Sequence, residues 1–88
     1  MKICIAGATG AFGTKHLDAV AAIEGVDVIS VVDVVEDRLQ EVAENRGIAH
    51  WTTDLAESLA RSDVEAVILA TPTQLHTEQA IQCLEAGK

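Results

Sequence analysis

The sequence predicts an α/β protein built on a parallel, doubly wound sheet. Three observations carry that expectation: short apolar runs that are continuous rather than alternating, helical segments between them, and a glycine-rich turn after the first run. Continuous runs are expected of strands covered on both faces. The first strand lies at 3–6 and leads into the turn. A first helix follows, with Phe12, His16, Val20 and Ile23 expected along its buried stripe. The second strand spans 26–32 and ends at Asp33. In the second helix Leu39, Val42, Ala43 and Arg46 fall at helical spacing, and Gly47 is placed to stop it. A weaker strand at 49–52 follows, with His50 and Trp51 expected to cover the sheet edge. A short helix at 54–61 is capped by Thr53 or Asp54, with Glu57 nearby. The last strand spans 66–70. The last helix, at 73–86, is expected to bury Leu75, Ala80, Ile81 and Leu84, with Thr73 as N-cap and Gly87 as its stop.

Composition narrows the function classes. The 88 residues are 49% hydrophobic with two cysteines, which excludes a disordered tail and a disulfide scaffold. No apolar run is long enough to span a bilayer, and the start is broken too soon for a signal peptide. Cys4 and Cys83 lack metal-ligand spacing and fit a reduced, cytoplasmic setting. Fourteen acidic against six basic side chains give a net charge of −8, so neither nucleic acid nor a membrane is an expected partner. A small phosphate-bearing ligand stays compatible, because backbone N–H groups bind anions without cationic side chains.

Alternating strands and helices form right-handed βαβ units, with strand order 3-2-1-4 and a crevice where the order reverses. Ligands of such sheets bind beyond the carboxyl ends of the strands, which puts three loops in view. The first reads Gly7-Ala8-Thr9-Gly10-Ala11-Phe12-Gly13. Its glycines permit a tight turn, close approach to a pyrophosphate and helix–strand packing, the last assigned to Gly13. A glycine-rich turn with no ligand is the bland alternative. Asp33, at the end of the second strand, can accept hydrogen bonds from ribose hydroxyls and would repel a 2′-phosphate, favouring NAD over NADP. A helix cap or a solvated strand end is the other reading, and Arg38 complicates the preference. The third loop holds Thr71, Pro72 and Thr73, with His76 one turn into the last helix. His76 reads equally well as a cofactor contact or a structural group. His16 reads as a packing residue. The fold class is therefore a Rossmann-type parallel sheet with helices on both faces.

The chain resembles the N-terminal cofactor-binding domain of the Gfo/Idh/MocA oxidoreductases over its whole length. The resemblance rests on residues 13–17 after the turn, 31–33, 53–55, 63–76 and the closing run 80–88. Within that family, residues 11–18 are most similar to semialdehyde dehydrogenases of aromatic catabolism. The resemblance implies hydride transfer between a nicotinamide and an alcohol- or aldehyde-derived carbon of a sugar, polyol or semialdehyde. It places the pyrophosphate on Gly7, Thr9, Gly10, Ala11 and Phe12, and a ribose on Asp33. It places the nicotinamide half against Thr71, Pro72, Thr73 and His76. The cofactor expected is NAD, with NADP possible.

Two departures stand out. The family turn is usually G-x-G-x-x-G, whereas one extra residue precedes the second glycine here, a spacing similar to short-chain and epimerase-type enzymes. The family also continues into a fifth strand with a catalytic lysine and a second, substrate-binding domain. Residues 1–88 are thus expected to be the cofactor part of a larger two-domain dehydrogenase, inactive alone and cut before the later strands. Two other readings compete: a non-catalytic dinucleotide sensor, and a short-chain-type fragment, which would need a tyrosine this sequence lacks. The open edge of the last strand is expected to drive association, and a homo-oligomer is expected.

Overall fold

A computed structural model describes residues 1–88. The elements are β1 (Lys2–Ala6), α1 (Ala11–Ala21), β2 (Asp27–Val32), α2 (Glu36–Arg46), β3 (His50–Thr52), α3 (Leu55–Leu59), β4 (Ala66–Leu69) and α4 (Thr73–Glu85). The four strands form one parallel sheet in the order β3-β2-β1-β4, as the sequence predicts. The order reverses between β1 and β4, and that reversal positions everything that follows.

Successive side chains of a strand point to opposite faces, so β1 feeds two cores. Ile3 and Ile5 pack with Leu17, Val20, Leu39 and Ala43 beneath α1 and α2. Cys4 and Ala6 pack with Leu55, Leu59, Val64 and Cys83 beneath α3 and α4. This two-sided burial explains why β1 reads as an unbroken apolar run. All four residues of β4, by contrast, are only half-buried, because β4 is a sheet edge.

Local signals place the element ends. Gly47 closes α2 in the left-handed conformation at φ 67°, where a Cβ would be strained. Asp54 caps α3, its carboxylate accepting from the Ala56 amide at 3.0 Å. Glu57 serves elsewhere, accepting the Thr52 hydroxyl proton. At the edge strand β3, Trp51 packs against the α1/α2 core. His50 Nδ1 shares a hydrogen bond of 2.7 Å with the Ser30 hydroxyl, which in turn lies 2.6 Å from the Ser58 hydroxyl. That chain ties β3, β2 and α3 together.

Two helices are rotated from the sequence expectation. In α1 the buried stripe is Gly13, Leu17 and Val20, while Phe12 and His16 face outward, and Ile23 lies beyond the end of the helix and is exposed. His16 is therefore no packing residue; its Nδ1 donates to the Phe12 carbonyl on the helix surface. In α4 Cys83 is buried and His76, Gln79 and Gln82 are half-buried, whereas Leu75, Ala80, Ile81 and Leu84 are exposed. Thr73 is the first helical residue rather than the cap, which is Pro72. Apolar periodicity identified a real face of α4, but nothing within residues 1–88 covers it.

Candidate functional site

The carboxyl ends of β1, β2, β3 and β4 surround a cleft of about 350 Å³ at the point of strand reversal. Its floor is the turn after β1. The Gly7 and Ala8 amides both donate to the Val32 carbonyl, at 2.8 and 3.2 Å, so the turn is sewn to the end of β2. Gly7 adopts φ +82°, and a Cβ there would stand 2.6 Å from the Ala70 carbonyl oxygen. The turn is therefore pressed against β4 as well. Only a residue without a side chain fits both demands. Gly13 fills the packing role expected of it, although the group it meets is the Gly7 carbonyl of the turn rather than the sheet.

Helix α1 opens beside this floor with Gly10 as a cap that offers no side-chain acceptor. Thr14 is the first helical amide to find a backbone acceptor, the Gly10 carbonyl at 2.9 Å; the amides of Ala11, Phe12 and Gly13 have none. An eleven-residue helix with free amides at its start presents partial positive charge there. An anionic group lying on the turn would be held by backbone alone, which the acidic surface of this chain makes useful.

Asp33 stands on the opposite wall. Its Oδ2 accepts from the Thr9 hydroxyl at 2.7 Å and the Thr9 amide at 3.0 Å, and its Oδ1 accepts from the Val34 amide at 2.7 Å. Partial burial alone would raise its pKa, but the hydrogen bonds from Thr9, Val34 and Val35 outweigh it and hold the carboxyl below its ordinary value. Asp33 is thus a fixed carboxylate, neither a cap nor a freely solvated strand end. Arg38, exposed in the first turn of α2, reaches back to the Thr9 carbonyl at 3.4 Å.

Of the residues singled out in the sequence, the structure brings Gly7, Thr9, Gly10, Asp33, Thr71 and Pro72 to the cleft. Ala11, Phe12, Thr73 and His76 do not line it. The Phe12 side chain is 70% exposed, and only its amide is placed to contribute. His76 turns inward, its Nε2 donating to the Thr71 carbonyl at 2.6 Å, which favours the structural reading of that histidine. Val34, Thr53, Leu55, Leu75 and Gln79, which are not among the expected site residues, line it too, with Val32 and Ala70 at the strand ends. Thr53 follows β3 and was findable, because β3 ends at the same edge as the other parallel strands. Leu75 and Gln79 lie four residues apart beyond Thr71, the spacing of one helix face. The Thr71 hydroxyl donates to the Gln79 side-chain carbonyl, which anchors the loop to α4.

Among the cleft residues Asp33 alone is ionisable, and it is held as the anion. The site can bind and orient; it has no group to move a proton at neutral pH.

A glycine turn opening a helix, an acid at the end of the neighbouring strand and a cleft at strand reversal together define a dinucleotide-binding domain of the Rossmann type. The particular lineage is also clear. Residues 1–88 match the oxidoreductase family with an NAD-binding Rossmann fold, and the chain belongs to that family, Gfo/Idh/MocA. It is 54% identical over its whole length to a 4-carboxy-2-hydroxymuconate-6-semialdehyde dehydrogenase of a Sphingobium species, of which it spans 28%. A probable dehydrogenase from Thermotoga maritima superposes with a TM-score of 0.94 at 32% identity, matched over all of this chain and 26% of that one. A scyllo-inositol dehydrogenase from Lactobacillus casei, solved with NAD(H) and scyllo-inositol, superposes with a TM-score of 0.91 at 27% identity, again over all of this chain and 26% of that one.

Proposed function

We propose that residues 1–88 are the NAD-binding part of a larger two-domain dehydrogenase. The observation that carries this reading is the Asp33 carboxylate held across the cleft from the free amides of α1. When bound, the dinucleotide would supply a nicotinamide that takes or gives a hydride. The free amides of Ala11 and Phe12 would hold its pyrophosphate, with Gly7 and Gly10 letting it approach the turn closely and Thr9 turned instead to Asp33. Asp33 would accept the ribose hydroxyls, and its charge would disfavour a 2′-phosphate, so NAD is preferred over NADP. Thr71 and Pro72 would border the nicotinamide half. Thr73 would act through its place at the start of α4, and His76 by holding the Thr71 carbonyl.

The substrate proposed is an alcohol- or aldehyde-derived carbon of an aromatic-catabolism semialdehyde, supported by the 54% identity to the Sphingobium enzyme, or else of a polyol. That substrate would be held by a further domain, which would also carry the acid/base groups missing from the cleft. The exposed Ile81 and Leu84 of α4 and the open edge of β4 support the reading that more structure packs there. A cytoplasmic location and a homo-oligomer complete the proposal.

The test is separate titration of NADH and NADPH into the folded chain, read by nicotinamide fluorescence, with circular dichroism as the check of folding. Tighter binding of NADH, with the gap narrowed by Asp33→Ala, supports the proposal. Tighter binding of NADPH overturns the role of Asp33, and no binding by a folded chain overturns the cofactor-domain reading.

A further inference from the structure

Thr9 sits in the glycine turn, where the residue types alone suggest a pyrophosphate contact. Its hydrogen bonds point elsewhere. Both its amide, at 3.0 Å, and its hydroxyl, at 2.7 Å, are committed to Oδ2 of Asp33. Thr9 is 7% exposed, so its hydroxyl has little water to bond instead. A buried donor facing an ionised acceptor makes a stronger hydrogen bond than a neutral pair. The Thr9 carbonyl meanwhile receives Nη2 of Arg38 at 3.4 Å. One residue therefore holds both groups that would respond to a 2′-phosphate: the carboxylate that repels it and the guanidinium that attracts it.

We propose that Thr9 is a positioning residue for the choice of dinucleotide, its hydroxyl aiming the Asp33 carboxylate so that the cleft prefers an unphosphorylated ribose. An aspartate at a loop can rotate about two bonds. Oδ2 pinned by Thr9, with Oδ1 held at 2.7 Å by the Val34 amide, removes both freedoms. A carboxylate has about four acceptor sites, and Thr9 fills the two of Oδ2. A ribose hydroxyl would therefore share Oδ1 with the Val34 amide, in the orientation that Thr9 sets. The proposal rests on the cofactor reading of the cleft given above.

The test compares Thr9→Val, which keeps the shape and removes the hydroxyl, with Thr9→Ser, which keeps the hydroxyl. Thr9→Val is expected to weaken NADH binding about tenfold, the loss of one charge-assisted hydrogen bond, and to change NADPH binding little, so the preference collapses. Thr9→Ser is expected to restore it. A readout without ligand runs in parallel: the carbon NMR titration midpoint of the Asp33 carboxyl should rise in Thr9→Val and return in Thr9→Ser. If Thr9→Val does not fold by circular dichroism, Thr9→Ala carries the same comparison. Equal weakening of both dinucleotides, or an Asp33 midpoint that stays put, overturns the positioning role while leaving the cofactor reading intact. A folded wild-type chain that binds neither dinucleotide overturns both.

Discussion

Gly13 lies so close to Gly7 that a Cβ on Gly13 would stand 2.0 Å from the Gly7 carbonyl oxygen. The contact is backbone against backbone, so no flexible side chain can yield. It is also what rotates α1: with position 13 forced toward the turn, Leu17 and Val20 follow it inward and Phe12 is turned out. Gly13→Ala should therefore destabilise the chain by about 1–3 kcal/mol, as overpacking does. Gly47→Ala has open space around it and only its φ of 67° to resist, so it should cost about 1–2 kcal/mol. Urea unfolding of the two variants gives the comparison. Only Gly13→Ala should also weaken NADH binding, because only that change displaces the turn.

Acid should loosen the cleft before it melts the core. The Asp33 carboxyl sits below its ordinary 3.8 in the folded chain despite partial burial, because Thr9 and Val34 donate to it. A depressed carboxyl pKa stabilises the fold fully above the unfolded value and loses that contribution as pH falls through the folded one. Wild-type stability should therefore drop between roughly pH 5 and 3 more steeply than that of Asp33→Asn, measured by urea unfolding. Parallel slopes would remove the clamp from the stability of this fold.

His50 should give a second pH dependence at milder acidity. Burial, and then the nearby Arg61, lower its pKa from 6.5, with Glu57 and Asp63 partly offsetting them. The folded chain therefore favours neutral His50 beside Ser30. For a histidine with a lowered folded pKa, stability falls as pH drops through the unfolded value and levels off below the folded one. The melting temperature of the wild type should decline from pH 7.5 toward 5.5, and that of His50→Gln should stay flatter. Coincident profiles would show that another group carries any slope.

The isolated chain should associate. One side of β4 bonds to β1, and its other side is an unpaired edge, flanked on α4 by Ile81 at 51% and Leu84 at 73% exposure. Free strand edges beside apolar surface recruit further strands. Sedimentation equilibrium should show dimers or larger species at high micromolar concentration, reduced by Leu84→Glu. A clean monomer throughout that range would refute the expectation.

Much of this molecule is written locally. The apolar runs of β1 and β2, the glycine stop of α2 at Gly47 and the cap at Asp54 depend on residues within a turn or two of one another. Strand order follows from connection rules that act between neighbouring elements. The glycine turn and Asp33 were legible for the same reason, since each marks the end of a strand whose direction was already known. Helix rotation was not. Apolar periodicity names a face of α4 but cannot say whether that face turns inward, and the inward face carries His76 and Gln79, bonded to Thr71, and the buried Cys83 instead.

The sequence by itself determined the parallel doubly wound class, the order of the strands and the loops that border the cleft, because these rest on short-range patterns and chain connectivity. Tertiary structure alone decided which atoms meet. Gly13 meets Gly7, Gln79 takes the Thr71 hydroxyl, and Thr9 turns from an expected phosphate contact into the residue that grips Asp33. Such pairings depend on how elements distant in sequence settle against one another. A shift of one ångström or one helix residue changes the partner, and no local pattern in the chain records that distance.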